Sequence, residues 1–279
     1  MRNKVFILTE DLQFFYKINQ KLNELKIKSK ILNFWNNLPN IPSVILTTSK
    51  EVSRIKIRDL KSSKLLPYST DYDMEGYLIR VLAAYKIGYK EDYSELVFSV
   101  DPGTIHFGLV VFLDDYFLKS HTFNNKNVLL NQIRKYTSFL QKTNKNLIAI
   151  RLKFGSGVLS TSIDLIRNIF EIFKDRERLS IFIVDEKRSS KINIYNNKKR
   201  FPKHEASALI LALRNGIKVE KSNFLKVLQQ SKLIIPLKEA NSSESDGNAN
   251  KITIQEIGQK VLSGELTLSE SLQLSRDLH

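Results

Sequence analysis

The chain opens on a short β-branched and aromatic run at residues 4–9, after which Leu12, Phe15, Ile18, Leu22 and Leu25 recur at three- and four-residue spacing. Apolar positions returning with a 3.6-residue period lie on one side of a helix, so this opening predicts a strand followed by an amphipathic helix. Two further apolar runs, residues 28–32 and 43–47, flank a Pro- and Asn-containing loop around Trp35 and read as strands. Together they predict a small α/β layer over residues 1–70. The stretch 62–73 (SSKLLPYSTDYD) reads as a linker, and residues 74–87 read as a helix with Tyr77, Leu78, Val81, Leu82 and Tyr85 on one side. This helix and linker, residues 71–94, would connect to a second domain.

That second domain, residues 95–220, has the clearest pattern. Runs at 95–101, 107–113 and 116–123 are separated by a Pro-Gly-Thr turn and by Asp114-Asp115, which predicts a three-strand antiparallel meander. A helix at 128–141 (Leu129, Ile133, Tyr136, Leu140) comes next, followed by a buried strand at 147–152. Residues 161–173 form another helix by the spacing of Ile163, Ile166, Ile169, Phe170 and Phe173, and 180–184 another strand. A last helix covers 203–215, ends at Gly216, and continues into a short helical stretch towards residue 232. The fold class is therefore α/β: a mixed sheet of meander plus parallel strands, flanked by helices and preceded by the small N-terminal layer.

Residues 221–250 end in ANSSESDGNAN, which has no large apolar side chain and reads as a flexible linker. Beyond it, Thr253-x-x-Glu256 and Thr267-x-x-Glu270 are both capping boxes, each opening an apolar period, so residues 251–279 predict a helical hairpin turning at Gly264. Docking or oligomerisation is its natural use, and a homodimer through these helices or through the N-terminal layer is the expected assembly.

Composition narrows the chemistry. Forty-four Lys+Arg against 29 Asp+Glu give +15 over 279 residues, which favours a polyanionic partner. The excess is +8 in residues 1–90 and +7 in 91–220, whereas residues 221–279 are neutral. With no cysteine, a disulfide scaffold, a thiolate zinc site and a cysteine nucleophile are excluded, and four histidines leave little room for a histidine cage. The N-terminal apolar run is too short for a signal segment or a membrane span, so a cytoplasmic location and no membrane partner are expected.

Asp101 ends a predicted strand and is followed by Pro-Gly-Thr, with Gly108 opening the next strand. A carboxylate delivered to a sheet edge beside a sharp turn suits a divalent ion, whose shell phosphate oxygens could complete. The segment VFSVDPGTIHFGLVVF resembles the first motif of the ribonuclease-H-like nucleases, and among them the RuvC-like Holliday-junction resolvases and the YqgF-like branch. The order of elements over residues 95–216 is similar too. The resemblance implies a ligand set of an Asp ending the first strand, a Glu ending the fourth, and an acidic or His residue three positions before an Asp on the last helix. Asp101 and His204 match. The fourth-strand position falls on Arg151, with Lys153 beside it, and the last-helix Asp position falls on Ser207. Glu205, adjacent to His204, is the next candidate catalytic group and metal ligand. The implied centre is degenerate: Mg²⁺ or Mn²⁺ would bind weakly, through Asp101 and Glu205. A rearranged nuclease would instead recruit Asp185 or Glu186, which otherwise read as solvated carboxylates at a strand end.

The segment from residue 187 to 203 carries Lys187, Arg188, Lys191, Lys198, Lys199, Arg200 and Lys203, no acidic residue, and the aromatics Tyr195 and Phe201. Such a stretch suits phosphate contacts with aromatic stacking, and Arg151 and Lys153 would extend its positive surface. The sequence therefore predicts a nucleic-acid-binding protein, DNA favoured. An active structure-specific endonuclease and a structural partner protein are the alternatives. D-P-G-T also resembles the phosphate loop of the sugar-kinase and actin superfamily, but the second glycine-rich loop of that superfamily is missing. The N-terminal layer invites comparison with receiver domains, yet its third strand ends in Thr-Thr-Ser-Lys, without the phospho-acceptor Asp.

Overall fold

A computed structural model describes residues 4–35, 37–56, 60, 62–70, 73–90, 92–142, 144–186, 192–196, 199–222 and 252–276. The chain forms two compact units, Met1–Asp92 with Ser138–Asn144, and Tyr93–Thr137 with Lys145–His279. The helix at 74–87, expected as a connector, thus groups with the first unit. No helix of the described residues is long and apolar enough to cross a membrane.

The first unit holds a four-stranded parallel sheet in the order β2-β1-β3-β4, from β1 (Lys4–Leu8), β2 (Ser29–Leu32), β3 (Ser43–Thr48) and β4 (Ser63–Tyr68). Helix α1 (Leu12–Glu24) is N-capped by Asp11 and buries Phe14, Ile18 and Leu22. Helix α2 (Met74–Ile87) follows β4, and its Tyr77 hydroxyl donates to the Leu66 carbonyl at 2.7 Å. The expected linker at 62–73 is therefore in part an edge strand. Its proline, Pro67, is tolerated because an edge strand leaves one side of its backbone unpaired.

The second unit is built on a six-stranded sheet whose strands, from edge to edge, are β12 (Ile217–Val219), β9 (Leu179–Val184), β8 (Ala149–Gly155), β5 (Glu95–Pro102), β6 (Phe107–Leu113) and β7 (Tyr116–Phe123). Strands β5, β6 and β7 form the antiparallel meander. Strands β8 and β9 continue it in parallel with β5. The mixed sheet flanked by helices that the sequence predicts is present. Asp114 and Asp115 both adopt positive φ, as a two-residue hairpin turn requires, and Asp114 Oδ1 accepts from Ser94 and Glu95 backbone N–H groups at 2.8 and 3.1 Å. Strands β5 and β6 are buried along nearly their whole length, because helices cover both faces of the sheet. On one face lies α3 (Lys126–Lys142), whose Tyr136 ring meets Phe98; α4 (Leu159–Ile172) is the crossover from β8 to β9. The opposite face, with Val97, Val110 and Phe112, packs against α5 (Lys203–Ala212). After α5 the chain forms the short edge strand β12 (Ile217–Val219), antiparallel to β9, where a helical stretch was expected.

The C-terminal hairpin is α6 (Ile254–Ser263) and α7 (Leu268–Arg276), with both capping boxes formed and Gly264 in the left-handed conformation between them. Its apolar stripe, Ile257, Val261, Leu262 and Leu268, is buried in the same cluster as Leu209, Ile210 and Leu213 of and beside α5. Asp115 and the Leu213 carbonyl fix it further, through Leu268 N–H, the Ser269 hydroxyl and the Ser275 hydroxyl. The stripe invoked for a dimer is covered within the chain. The serine- and asparagine-rich linker falls outside the described residues.

Candidate functional site

Register decides which side chains meet at the edge of the sheet. Val97, Ser99 and Asp101 alternate along β5 onto the α5 face, and opposite them on β8 lie Arg151, Lys153 and, one step past the Val100–Phe154 pair, Gly155. Asp101 is 9% exposed. Burial pushes its carboxyl above the usual range, and a hydrogen bond from His204 opposes that shift. His204, in the first turn of α5, brings Nδ1 to 3.1 Å from Asp101 Oδ2. The helix can approach so closely because β6 carries Gly108 there: a Cβ at that position would lie 2.0 Å from the His204 carbonyl oxygen. A second imidazole, His106, stands with its ring 5.4 Å from that of His204, and its Nδ1 lies 2.7 Å from Asn124 Oδ1. Sequence reasoning passed over His106, although it lies in the same turn as the D-P-G-T motif.

The neighbour of Asp101 on β8 is thus a glycine, and the space above it is filled from the next strand. Glu186, two residues beyond β9, folds back so that its carboxylate oxygens sit 1.9 Å from where a Cβ of Gly155 or Gly157 would be. The Gly157 N–H donates to it, while Glu186 Oε1 is buried with no hydrogen-bond partner. Burial, and then the charges of Asp101 and Asp185, push the Glu186 carboxyl up to about 7 against the pull of Arg214. Glu186 is therefore half-buried over the two glycines, while Asp185 is exposed. Asp185 offers its backbone carbonyl to Arg214 Nη1 at 2.8 Å.

Three sequence expectations are corrected. Arg151 does not stand beside Asp101: it faces Val97, four registers or about 13 Å down the sheet. There it forms an ion pair with Glu95 at 2.9 Å. The cause is the length of β8, which runs on to Gly155 instead of stopping at Leu152. Lys153 is 4% exposed and belongs to no positive surface. Its Nζ donates to the Ala212 and Arg214 carbonyls at 2.5 and 2.8 Å, at the end of α5 where helix carbonyls lack partners. Burial, aided by Arg151, lowers its pKa to about 7. Glu205 turns to β7, where it accepts from the Ser120 and Thr122 hydroxyls, so it does not join Asp101 as a ligand. Ser207 lies within α5 and is buried.

Two bound divalent ions would need several carboxylates converging on one point. Among the described residues no group of three or more His, Asp or Glu side chains is arranged to hold a metal ion. One oxygen of Asp101 already faces His204, and Glu186 carries its proton up to near neutrality. The donor set does not fit a two-ion centre.

Of the basic segment, Lys187, Arg188, Lys191 and Lys198 lie outside the described residues. The remainder is a β-ribbon, β10 (Tyr195–Asn196) antiparallel to β11 (Lys199–Arg200). Ile194 and Phe201 close its base, with the Phe201 N–H donating to the Ile194 carbonyl at 2.7 Å, and both are buried in the cluster formed with α5 and α6. Gly258 of α6 leaves the room for Ile194 Cδ1. Lys199, Arg200 and Lys203 are exposed, as is Tyr195. In the first unit, the Glu51 carboxylate fills the edge of the sheet between β1 and β3, accepting from the Thr9 and Thr48 hydroxyls at 2.7 and 2.6 Å and from the Glu10 N–H at 2.6 Å.

No family model and no curated protein matches the chain. Among solved structures it is similar to the Argonaute of Aquifex aeolicus at 13% identity, over 66% of this chain and 36% of that one, with a TM-score of 0.23. The Marinitoga piezophila Argonaute, in complex with 5' OH guide RNA and target DNA, gives 12% identity over 66% and 39%, with a TM-score of 0.25. The N. crassa QDE-2 AGO MID-PIWI domains give 10% identity over 93% and 94%, with a TM-score of 0.28. The chain spans little more than a third of the length of the first two proteins. Likeness at this level assigns no activity.

Proposed function

We propose that this chain is a nucleic-acid-binding protein, DNA favoured, built on a ribonuclease-H-like domain whose first motif resembles that of the junction resolvases and whose nuclease centre is degenerate. The observation that carries the reading is the basic ribbon. Lys199 and Arg200 are held out into solvent by a buried Ile194–Phe201 base, and Lys203 is exposed at the first residue of the helix that brings His204 to Asp101. A mobile basic loop would lose conformational freedom on binding, whereas an anchored ribbon has already lost it on folding. The chain's formal charge of +15 supports a polyanionic partner.

Titration of a fluorescent DNA over a range of salt concentrations tests the reading. Each Lys or Arg on a phosphate releases counterions, so changing Lys199, Arg200 and Lys203 together to Ala should flatten the slope of log affinity against log salt by up to about 2.7 units. An unchanged slope would remove the ribbon from the interface. A second reading, a metal-dependent endonuclease with a rearranged acidic site, is favoured by one observation: the Glu186 carboxylate packs over the glycine neighbouring Asp101.

A further inference from the structure

The ribbon has two faces of different chemistry. Strand side chains alternate, so with Ile194 and Phe201 turned into the core, the next rung, Tyr195 opposite Arg200, projects from the other side. Tyr195 is 46% exposed. Directly opposed residues of an antiparallel pair place their Cβ atoms about 4.5–5.5 Å apart, so the two side chains leave the ribbon from neighbouring positions. Asn193, two residues before Tyr195 and on the same side, accepts from Arg200 Nη2 at 2.6 Å and fixes the guanidinium. One exposed aromatic and one oriented planar cation are therefore cross-strand partners, on a ribbon anchored from behind.

Resting on the nucleic-acid reading above, we infer that the outer face of this ribbon is a binding site for an unpaired nucleotide, with the base stacked on Tyr195 and the phosphate held by Arg200. A phosphate alone needs only the cations; a solvent-facing ring beside them adds affinity only where a base face is available. In a duplex both faces of every internal base are already stacked, and a single strand or a frayed end offers them freely. The site thus discriminates strand state rather than sequence, because every base has a π-face.

Anisotropy titrations of a labelled oligothymidylate and of a blunt duplex, both at fixed salt, separate the alternatives. Tyr195→Ala should weaken single-strand binding by about 5- to 150-fold, while leaving duplex affinity and the single-strand salt slope unchanged, since a neutral ring releases no counterions. Tyr195→Phe should bind like the native chain. Single-strand affinity that survives Tyr195→Ala, or a loss shared equally by the duplex, would overturn the stacking site while leaving nucleic-acid binding in place. If the native chain binds neither probe, the nucleic-acid reading itself falls, and this inference falls with it.

Discussion

Glu186 is held where a side chain on Gly155 or Gly157 would otherwise lie, with one carboxylate oxygen lacking a partner and with Asp101 and Asp185 as like-charged neighbours. In the folded chain it titrates at about 7, against 4.5 for an ordinary glutamate. The folded state therefore holds more protons than the unfolded one between those values, and stability falls as pH rises through that window. Glu186→Gln keeps the shape and removes the charge, so its melting temperature should depend less on pH there and should match or exceed that of the native chain above pH 7. Asp101, whose carboxyl is also raised, acts in the same direction in both proteins, so the difference between the two curves reports Glu186 together with its coupling to Asp101. Parallel curves would show that Glu186 is solvated. This arrangement was not legible in the sequence. F-G-S-G reads as a loop, so β8 is cut short, the neighbour of Asp101 is misassigned to Arg151, and a glutamate after β9 looks like surface. Asp101 itself was legible, because an Asp before Pro-Gly at the end of an apolar run has few other places to go.

At the level of elements, the capping boxes were the most readable feature: a Thr and a Glu three residues apart satisfy each other's backbone neighbours locally, whatever the tertiary fold. What the hairpin docks on was not readable, since an apolar stripe does not name its partner. Here it seals α5 and the base of the basic ribbon, with Leu268 fully buried in that cluster and its N–H bonded to the Asp115 carbonyl at 2.8 Å. Leu268→Ala should cost about 2–5 kcal/mol, read from the urea midpoint at constant slope. A cost under about 0.5 kcal/mol, the range of surface substitutions, would mean that the hairpin does not dock. Strand β4 was missed for a different reason. Its sequence, SKLLPY, carries serine and proline, and only its place at the edge of the sheet makes the proline acceptable.

On the scale of the whole molecule the proposed reading separates two requirements, binding a polyanion and cutting it. The excess of +8 in residues 1–90 and +7 in 91–220 draws a polyanion, and binding needs nothing more than that field and the exposed cations. Cleavage needs more, because two divalent ions about 3.5–4 Å apart require several carboxylates to offset their four positive charges. Of the carboxylates near the site among the described residues, Asp101 has one oxygen facing His204, Glu186 is folded over glycines, and Glu205 is held by β7 hydroxyls. With Mg²⁺ or Mn²⁺ supplied, hydrolysis of single-stranded, duplex or branched DNA should be absent or very slow, and Asp101→Asn should leave DNA affinity unchanged. Residual cleavage that persists in Asp101→Asn comes from outside this site. Robust metal-dependent cleavage abolished both by Asp101→Asn and by Glu186→Gln would sink the degenerate reading. Glu186 would then act as the substitute for the missing strand-four carboxylate, reached from β9 across Gly155 instead of from β8 itself.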